Sequence, residues 1–502
     1  MTDARPMINA YPDSVGGALA GLATFLERPE LAGIFTDAYV LPSLYHSDLD
    51  RGFSVIDYDL EESLATRADL DRLDAAGIGL KLDFILNHCS AQSPQFRSLV
   101  ADGDASPYRD FFIDWNEFWD GLGEMTPEGY IQPRADLIDG MFFRKPGLPI
   151  LQVRFPDGRM VPFWNTFYQE VTPDGRYLGQ MDVNIRSEKV WEFYADTLAT
   201  LAGYGARVVR LDAFAYASKE PGRPNFLNDP ETWDVLERVR ELADHHGIAL
   251  LPEIHATYAT GTHERIAEAG YLTYDFFLPG LLIDALETRS ASGLARWAAE
   301  VRDKKLRLVT MLGCHDGIPV LDLEGLVPDK RIGAVIDAVV GRGGHVKNLH
   351  GSKATYYQVN ATYFSALGES ERAMLLARAI HLFMPGKPQV WYLDLLAGTN
   401  DYEALARAGA NGHKEINRTN VSLDDALARL DRPVVRGQLD LLRFRSESPA
   451  FGWDATLDVQ APEPGRLVLE WTHDGATARL DADLRTCAFT MHDGEGVVFA
   501  QE

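Results

Sequence analysis

Cysteine is scarce in this chain: Cys89, Cys314 and Cys487 are the three among 502 residues. They lie far apart and form no C-x-x-C pair, which excludes a disulfide framework and a zinc ribbon and reads as reduced thiols. Long apolar runs are missing too. The most apolar stretch, Phe276 to Ile283, is interrupted by Pro279 and stopped by Asp284, too short for a membrane span. Met1 to Asp13 carries no basic and apolar signal pattern. Positive charge is in deficit, with Lys+Arg 48 against Asp+Glu 74, a net charge of -26. Nucleic acid would meet a repulsive field over most of the surface, and any anionic ligand must find a local basic pocket. Low-complexity tracts and short repeats are absent as well. A composition of 46% hydrophobic and 24% charged residues is that of a globular protein able to bury a sizeable core. The expectation is a cytoplasmic protein with no membrane and no nucleic-acid partner.

Short apolar, β-rich runs alternate with longer helical patterns, as in a parallel sheet with crossover helices. The runs are Met7 to Tyr11, Ala38 to Leu41, Gly79 to Leu86, Ala206 to Phe214, Ile248 to Ile254, Tyr271 to Phe277, Leu306 to Leu312 and Gln389 to Leu393. Eight such units predict an α/β fold, a (β/α)8 TIM barrel whose site lies at the C-terminal strand ends. Two stretches break the rhythm. Aromatic, Pro and Gly residues crowd the segment after the third run, and Gly341-Arg-Gly-Gly-His345 marks an irregular segment after the seventh. The predicted organisation is a barrel over 1–88, 184–316 and 364–446, with a subdomain inserted over 89–183. A loop-rich insert spans 317–363, and a small β domain, signalled by alternation such as Arg466-Leu-Val-Leu-Glu-Trp471, spans 447–502.

Chemistry-bearing residues gather at the ends of these runs. In Arg210-Leu-Asp212, strand alternation turns Arg210 and Asp212 to one side, where the guanidinium would keep Asp212 ionised and fit to act as a nucleophile. A buried pair that fixes the strand end is the alternative. In Leu251-Pro-Glu-Ile-His255, Glu253 and His255 share a face, and an apolar strand end should raise the Glu253 pKa, as a general acid requires. The seventh run ends in Gly313-Cys-His-Asp-Gly317, which adds Asp316 beside His315. Carboxylates at separate strand ends of one barrel point to retaining glycoside chemistry, in which one carboxyl is the acid and another the nucleophile about 5 Å away. His88 closes the third run, Asp50 precedes Phe53 by three positions, and Arg418 follows the eighth run. A core histidine, a turn residue and a surface arginine are their ordinary readings. Cys314 should face away from the inward pair.

The set Asn87-His88, Arg210-Leu-Asp212, Glu253-Ile-His255 and His315-Asp316 resembles the α-amylase superfamily, glycoside hydrolase family 13. Further segments resemble its sucrose phosphorylase branch: Asp50-Arg-Gly-Phe53, Arg210-Leu-Asp-Ala-Phe-Ala-Tyr216, Thr273-Tyr-Asp-Phe276, Tyr357-Gln-Val-Asn360 and Ile416-Asn-Arg418. The resemblance implies Asp212 as nucleophile, Glu253 as general acid/base and Asp316 as transition-state stabiliser. It implies that His88, Arg210, His315, Asp50, Arg418 and Gln180 hold glucose between Phe53 and Phe167, with His255 and Gln358 towards the acceptor. The implied reaction is phosphorolysis of sucrose to α-glucose 1-phosphate and fructose through a covalent glucosyl-enzyme. Sucrose 6F-phosphate, glucosylglycerol or glucosylglycerate as donors, hydrolysis or transglucosylation, and a non-catalytic binding module are the alternatives.

Inorganic phosphate, the second substrate, needs cations, for which Arg144, Lys145 and Lys353 are available. Tyr357 stands where members that prefer sucrose 6F-phosphate tend to present a histidine, which points away from that donor. The segment Glu170 to Gly179 is extra relative to the branch and lies near the acceptor side. No metal and no other cofactor is expected, and relatives of this kind are often homodimers.

Overall fold

The computed structural model describes residues 3–348, 356–409, 412–494 and 496–502. Its centre is a single parallel sheet of eight strands: Met7–Ala10 (β1), Asp37–Val40 (β2), Gly79–Ile85 (β3), Ala206–Asp212 (β4), Ala249–Pro252 (β5), Thr273–Asp275 (β6), Leu308–Thr310 (β7) and Lys387–Trp391 (β8). The order is β5-β4-β3-β2-β1-β8-β7-β6. Every expected run supplies one strand. The barrel is nearly closed, since among the described residues no backbone ladder joins β5 to β6.

Strands wrapped by helices should be apolar on both faces, and β3 is buried along its whole length. Its inward positions nonetheless carry Lys81 and Asp83. Register aligns Lys81 with Tyr39 on β2 and Asp83 with Arg210 on β4, so charged residues of adjacent strands meet inside the barrel. Lys81 Nζ lies 3.9 Å from the Tyr39 ring centroid and donates to Gln389 Oε1 at 2.6 Å, while Tyr39 Oη donates to Asp83 at 3.0 Å. The lumen below the pocket is therefore polar and hydrogen-bonded, which is what lets charge be buried there at all.

The helix Glu188–Gly203 shows how the outer layer is fixed. Ser187 caps its N-terminus, and Val190, Trp191, Tyr194, Leu198 and Leu201 form the face turned to the sheet. Each large apolar side chain so buried contributes about 1.5–3 kcal/mol. Tyr194 Oη also donates to Leu86 O at 2.5 Å, anchoring the end of β3 just before Asn87 and His88.

Between β3 and β4, His88–Ser90 pairs antiparallel with Tyr177–Asp182, which pairs in turn with Gln169–Val171. A separate aromatic cluster of Trp115, Trp119 and Trp164 fills this region. The extra segment at Glu170 to Gly179 forms the exposed hairpin of this sheet. After β7, Ile318–Pro319 pairs with Tyr356–Asn360. The C-terminal stretch is a five-stranded antiparallel meander from Thr456 to Gln501. Trp471 Nε1 donates to Phe383 O at 2.8 Å and docks the meander on the helix Glu371–Phe383. No helix among the described residues is long and apolar enough to cross a membrane.

One lysine joins three segments at the mouth of the barrel. Lys219 Nζ is 2.7 Å from Asp182 Oδ2 and 2.7 Å from Asn87 Oδ1, and it also donates to Tyr216 O. Both charged side chains are out of water, at 2% and 0% exposure. Removing one partner of such a pair leaves the other charge uncompensated. Lys219→Met should therefore lower unfolding free energy by about 3–5 kcal/mol, read from urea denaturation. A loss under about 1 kcal/mol, the range of an exposed ion pair, would mean the pair does not hold the mouth together.

Candidate active site

Arg210 organises the pocket at the C-terminal rim. Its Nη1 donates to Asp83 Oδ1 at 2.6 Å and to Asp212 Oδ1 at 3.0 Å, and Nη2 lies 2.8 Å from Glu253 Oε1. Asp212 and Glu253, from neighbouring strand ends, thus converge on the two ends of one guanidinium. Asp316 has its own partners, with Lys414 Nζ 2.6 Å and Arg418 Nη2 3.6 Å from its Oδ1 and His315 Nε2 3.3 Å from its Oδ2. The Phe53 ring bridges the two groups. Phe53 stacks on His315 with centroids 5.3 Å apart and has the Arg210 guanidinium 5.4 Å from its own centroid.

The remaining walls follow from loops that the fold holds rigidly. His88 and Gln180 meet through Nε2 atoms 3.1 Å apart, and the backbone carbonyl of Phe53 lies 3.0 Å from each of these atoms. Phe167 lies against His88 and Tyr216, at centroid distances of 5.0 and 5.1 Å. Asp50 sits at the exposed rim in a turn where Asp50, Arg51 and Gly52 have φ of 47°, 51° and 113°. Only glycine fits the last position, because a Cβ there would come within 2.1 Å of Ser43 N. Arg51 pins the turn by donating to Asp13 at 3.0 Å and to Arg418 O at 2.8 Å. Arg418 is buried, with Nε donating to His315 O at 2.8 Å and Nη1 3.9 Å from Asp50.

Two electrostatic expectations are corrected here. Burial pushes the Asp212 carboxyl up; Arg210 opposes this but shares its Nη1 with Asp83, and Glu253 adds repulsion, so Asp212 is raised. Burial would raise Glu253 as well, yet Arg210 and the adjacent His255 outweigh it and hold Glu253 low. The two carboxyls titrate as a pair, with burial pushing Asp212 upward while Arg210 and His255 hold Glu253 down. Burial keeps His88 and His315 neutral, while His255 is driven the other way, to about 10, by Asp322 and Glu253 against the effect of burial. Burial pushes the Cys314 thiol to about 12, which leaves no thiolate nucleophile near neutrality.

The residues expected on the acceptor side divide. The Arg144 guanidinium lies 5.6 Å from the Phe167 ring centroid and 5.9 Å from that of Tyr216. Lys145 is turned to Asn165 and to Gln169 Oε1 at 3.1 Å, and burial lowers it to about 8. Gln358 is buried opposite Pro319 in the ladder after Asp316. Lys353 lies outside the described residues, as does the side chain of Tyr357. Sequence reasoning missed Asp83, Lys414 and Asp322. Asp83 could have been found from its inward position two residues before Ile85 on β3, whereas Lys414 and Asp322 lie in irregular stretches without a period to read.

A parallel barrel whose C-terminal rim gathers carboxylates around one arginine defines an amylase-type carbohydrate-active enzyme. No protein-family model matches the chain. It is 55% identical to a sucrose 6(F)-phosphate phosphorylase of Ilumatobacter coccineus, over 98% of this chain and 96% of that one. It is 33% identical to a sucrose phosphorylase of Streptococcus mutans over 98% of both chains. Its fold matches the crystal structure of sucrose 6F-phosphate phosphorylase from Thermoanaerobacter thermosaccharolyticum with a TM-score of 0.90 at 32% identity, covering 100% of this chain and 98% of the other. The chain belongs to the sucrose phosphorylase branch of glycoside hydrolase family 13, and it is an enzyme of the phosphorylase type.

Asp316 supplies a pH test of the rim. Burial alone would raise it, but the cations Lys414 and Arg418 beside it hold it well below the usual carboxylate range. A carboxylate depressed on folding stabilises the protein above its unfolded pKa of about 3.9 and loses that contribution as pH falls through the folded value. Lys414→Met should make Asp316 protonate at higher pH, so acid unfolding followed by circular dichroism should begin at higher pH than in the wild type. Identical curves would detach Lys414 from Asp316.

Proposed function

We propose that the enzyme phosphorolyses sucrose 6F-phosphate, giving α-glucose 1-phosphate and fructose 6-phosphate with retention at the anomeric carbon. The chemistry rests on one observation, the fork of Arg210 with Asp212 at one end and Glu253 at the other. That arrangement suits double displacement, in which the two carboxyls act on opposite sides of one sugar carbon. The donor is inferred from the Ilumatobacter relative at 55% identity, whose likeness along the whole chain outweighs the single position Tyr357.

Glucose would lie between Phe53 and Phe167, its hydroxyls facing His88, Gln180, Asp50, His315, Arg418 and Asp316. In the substrate complex the single proton of the pair would sit on Glu253, facing the glycosidic oxygen, with Asp212 ionised. Glu253 then protonates the departing fructosyl oxygen while Asp212 forms the bond to the anomeric carbon. Phosphate enters the vacated half of the pocket, Glu253 takes its proton, and a phosphate oxygen displaces Asp212. Arg144 supplies cationic charge for the incoming anion, with Lys145 behind it.

Glucose 1-phosphate formed from phosphate and either sucrose 6F-phosphate or sucrose is the direct measurement. The phosphorylated donor should have a kcat/KM at least about tenfold higher, a difference of about 1.4 kcal/mol in transition-state stabilisation. Equal values would favour sucrose, and no product from any α-glucoside would reject the class. Asp212→Asn should reduce kcat by about 10⁴ or more. Arg144→Ala should raise the KM for phosphate about tenfold, and an unchanged KM would move the phosphate site elsewhere.

A further inference from the structure

We propose that Asp322 is a positioning residue of this pocket: it fixes His255 as a cation with Nε2 turned to Glu253, so that the acid/base group is governed from the far side of an imidazole ring. The proposal rests on the reading of Glu253 as general acid/base. Asp322 lies in the short turn Leu321–Leu323 after β7, 67 positions from His255, and its side chain is 2% exposed. His255 Nδ1 is 3.1 Å from Asp322 Oδ2, and Nε2 is 3.6 Å from Glu253 Oε1. The ring is held flat by Phe276, which stacks on it at a centroid distance of 3.9 Å and an interplanar angle of 22°.

With Asp322 in hydrogen-bond reach of Nδ1 and Glu253 at ion-pair distance from Nε2, the ring presents an N–H to both carboxylates only as the imidazolium, because the neutral ring has a single N–H. A neutral His255 that donated Nδ1–H to Asp322 would turn the Nε2 lone pair towards the Glu253 carboxylate, leaving two buried carboxylates with no cation between them, which is costly. The other groups facing this relay are Arg210 from β4, which meets Glu253, and the carboxyls of Asp212 from β4 and Asp316 from beyond β7, which act on it through their charge. From the end of β6 come Phe276 and Tyr274, which border one small cavity together with His263 and Asp322. The imidazolium is therefore a constant charge beside a carboxyl that must gain and lose a proton in each turnover. It favours the carboxylate that Glu253 becomes when it protonates the leaving oxygen.

The test is a histidine titration by NMR, with the His255 resonance identified by its loss in His255→Gln, combined with the pH dependence of kcat/KM. In the wild type the ring should stay protonated well above neutrality. Asp322→Asn should bring its midpoint down by two units or more, to about 6.5. It should also move the alkaline limb of kcat/KM, which reports the proton shared by Glu253 and Asp212, upward by about one unit. Asp322→Glu keeps the charge on a longer stem and should return the midpoint towards the wild type. A Asp322→Asn protein whose His255 midpoint and alkaline limb are unmoved, with only thermal stability reduced, would overturn the proposal. So would an Asp322→Glu protein that titrates like Asp322→Asn. If the wild type makes no glucose 1-phosphate, the reading of Glu253 fails, while the titration still decides whether Asp322 holds the charge on His255.

Discussion

A single guanidinium out of contact with solvent carries the electrostatics of this barrel mouth. Arg210 is 3% exposed and meets Asp83, Asp212 and Glu253, so one positive charge faces three negative ones where water cannot screen them. Such a cluster is stable only if further cations stand close by or if protons are retained. Here His255 stands beside Glu253, while burial and the Glu253 carboxylate push the Asp212 carboxyl upward. The pocket is poised by its shortage of positive charge.

The same scarcity shapes the rim. Asp316 has cations of its own in Lys414 and Arg418, and Arg418 is positioned by a turn whose backbone is held in a left-handed conformation. Arg51 ties that turn to Asp13 after β1 and to the carbonyl of Arg418 after β8. Strain of this kind persists only where surroundings over-determine the conformation. Here the over-determination comes from loops at three strand ends, so Asp50 at the exposed rim inherits its place from the closure of the barrel.

Much of this was legible from the residues alone, for identifiable reasons. Alternation along a strand is a local property, so Arg210 with Asp212 could be placed on one face before any coordinates were known, and eight apolar runs separated by helical patterns sufficed for the barrel. Protonation was not legible in the same way. Glu253 looked like a raised carboxyl at an apolar strand end, but Arg210 Nη2 and His255 reach it across space and reverse the direction. Asp83, with Lys81, interrupts an otherwise apolar run, and only the register with β4 reveals its partner. Lys414 and Asp322 occupy irregular chain, where sequence spacing carries no information about direction.

The lysine cage between Asn87, Asp182 and Tyr216 bears on how such enzymes diversify. Its members come from the close of β3, the returning strand of the insertion and the loop that follows β4. An exchange of the intervening hundred-odd residues with those of a cousin would bring a foreign return strand to a socket cut for one carboxylate. Recombination at this seam would therefore have to carry the loop beyond the fourth strand with it, whereas the exposed tip of the hairpin between Gln169 and Tyr177 makes no contact with this joint.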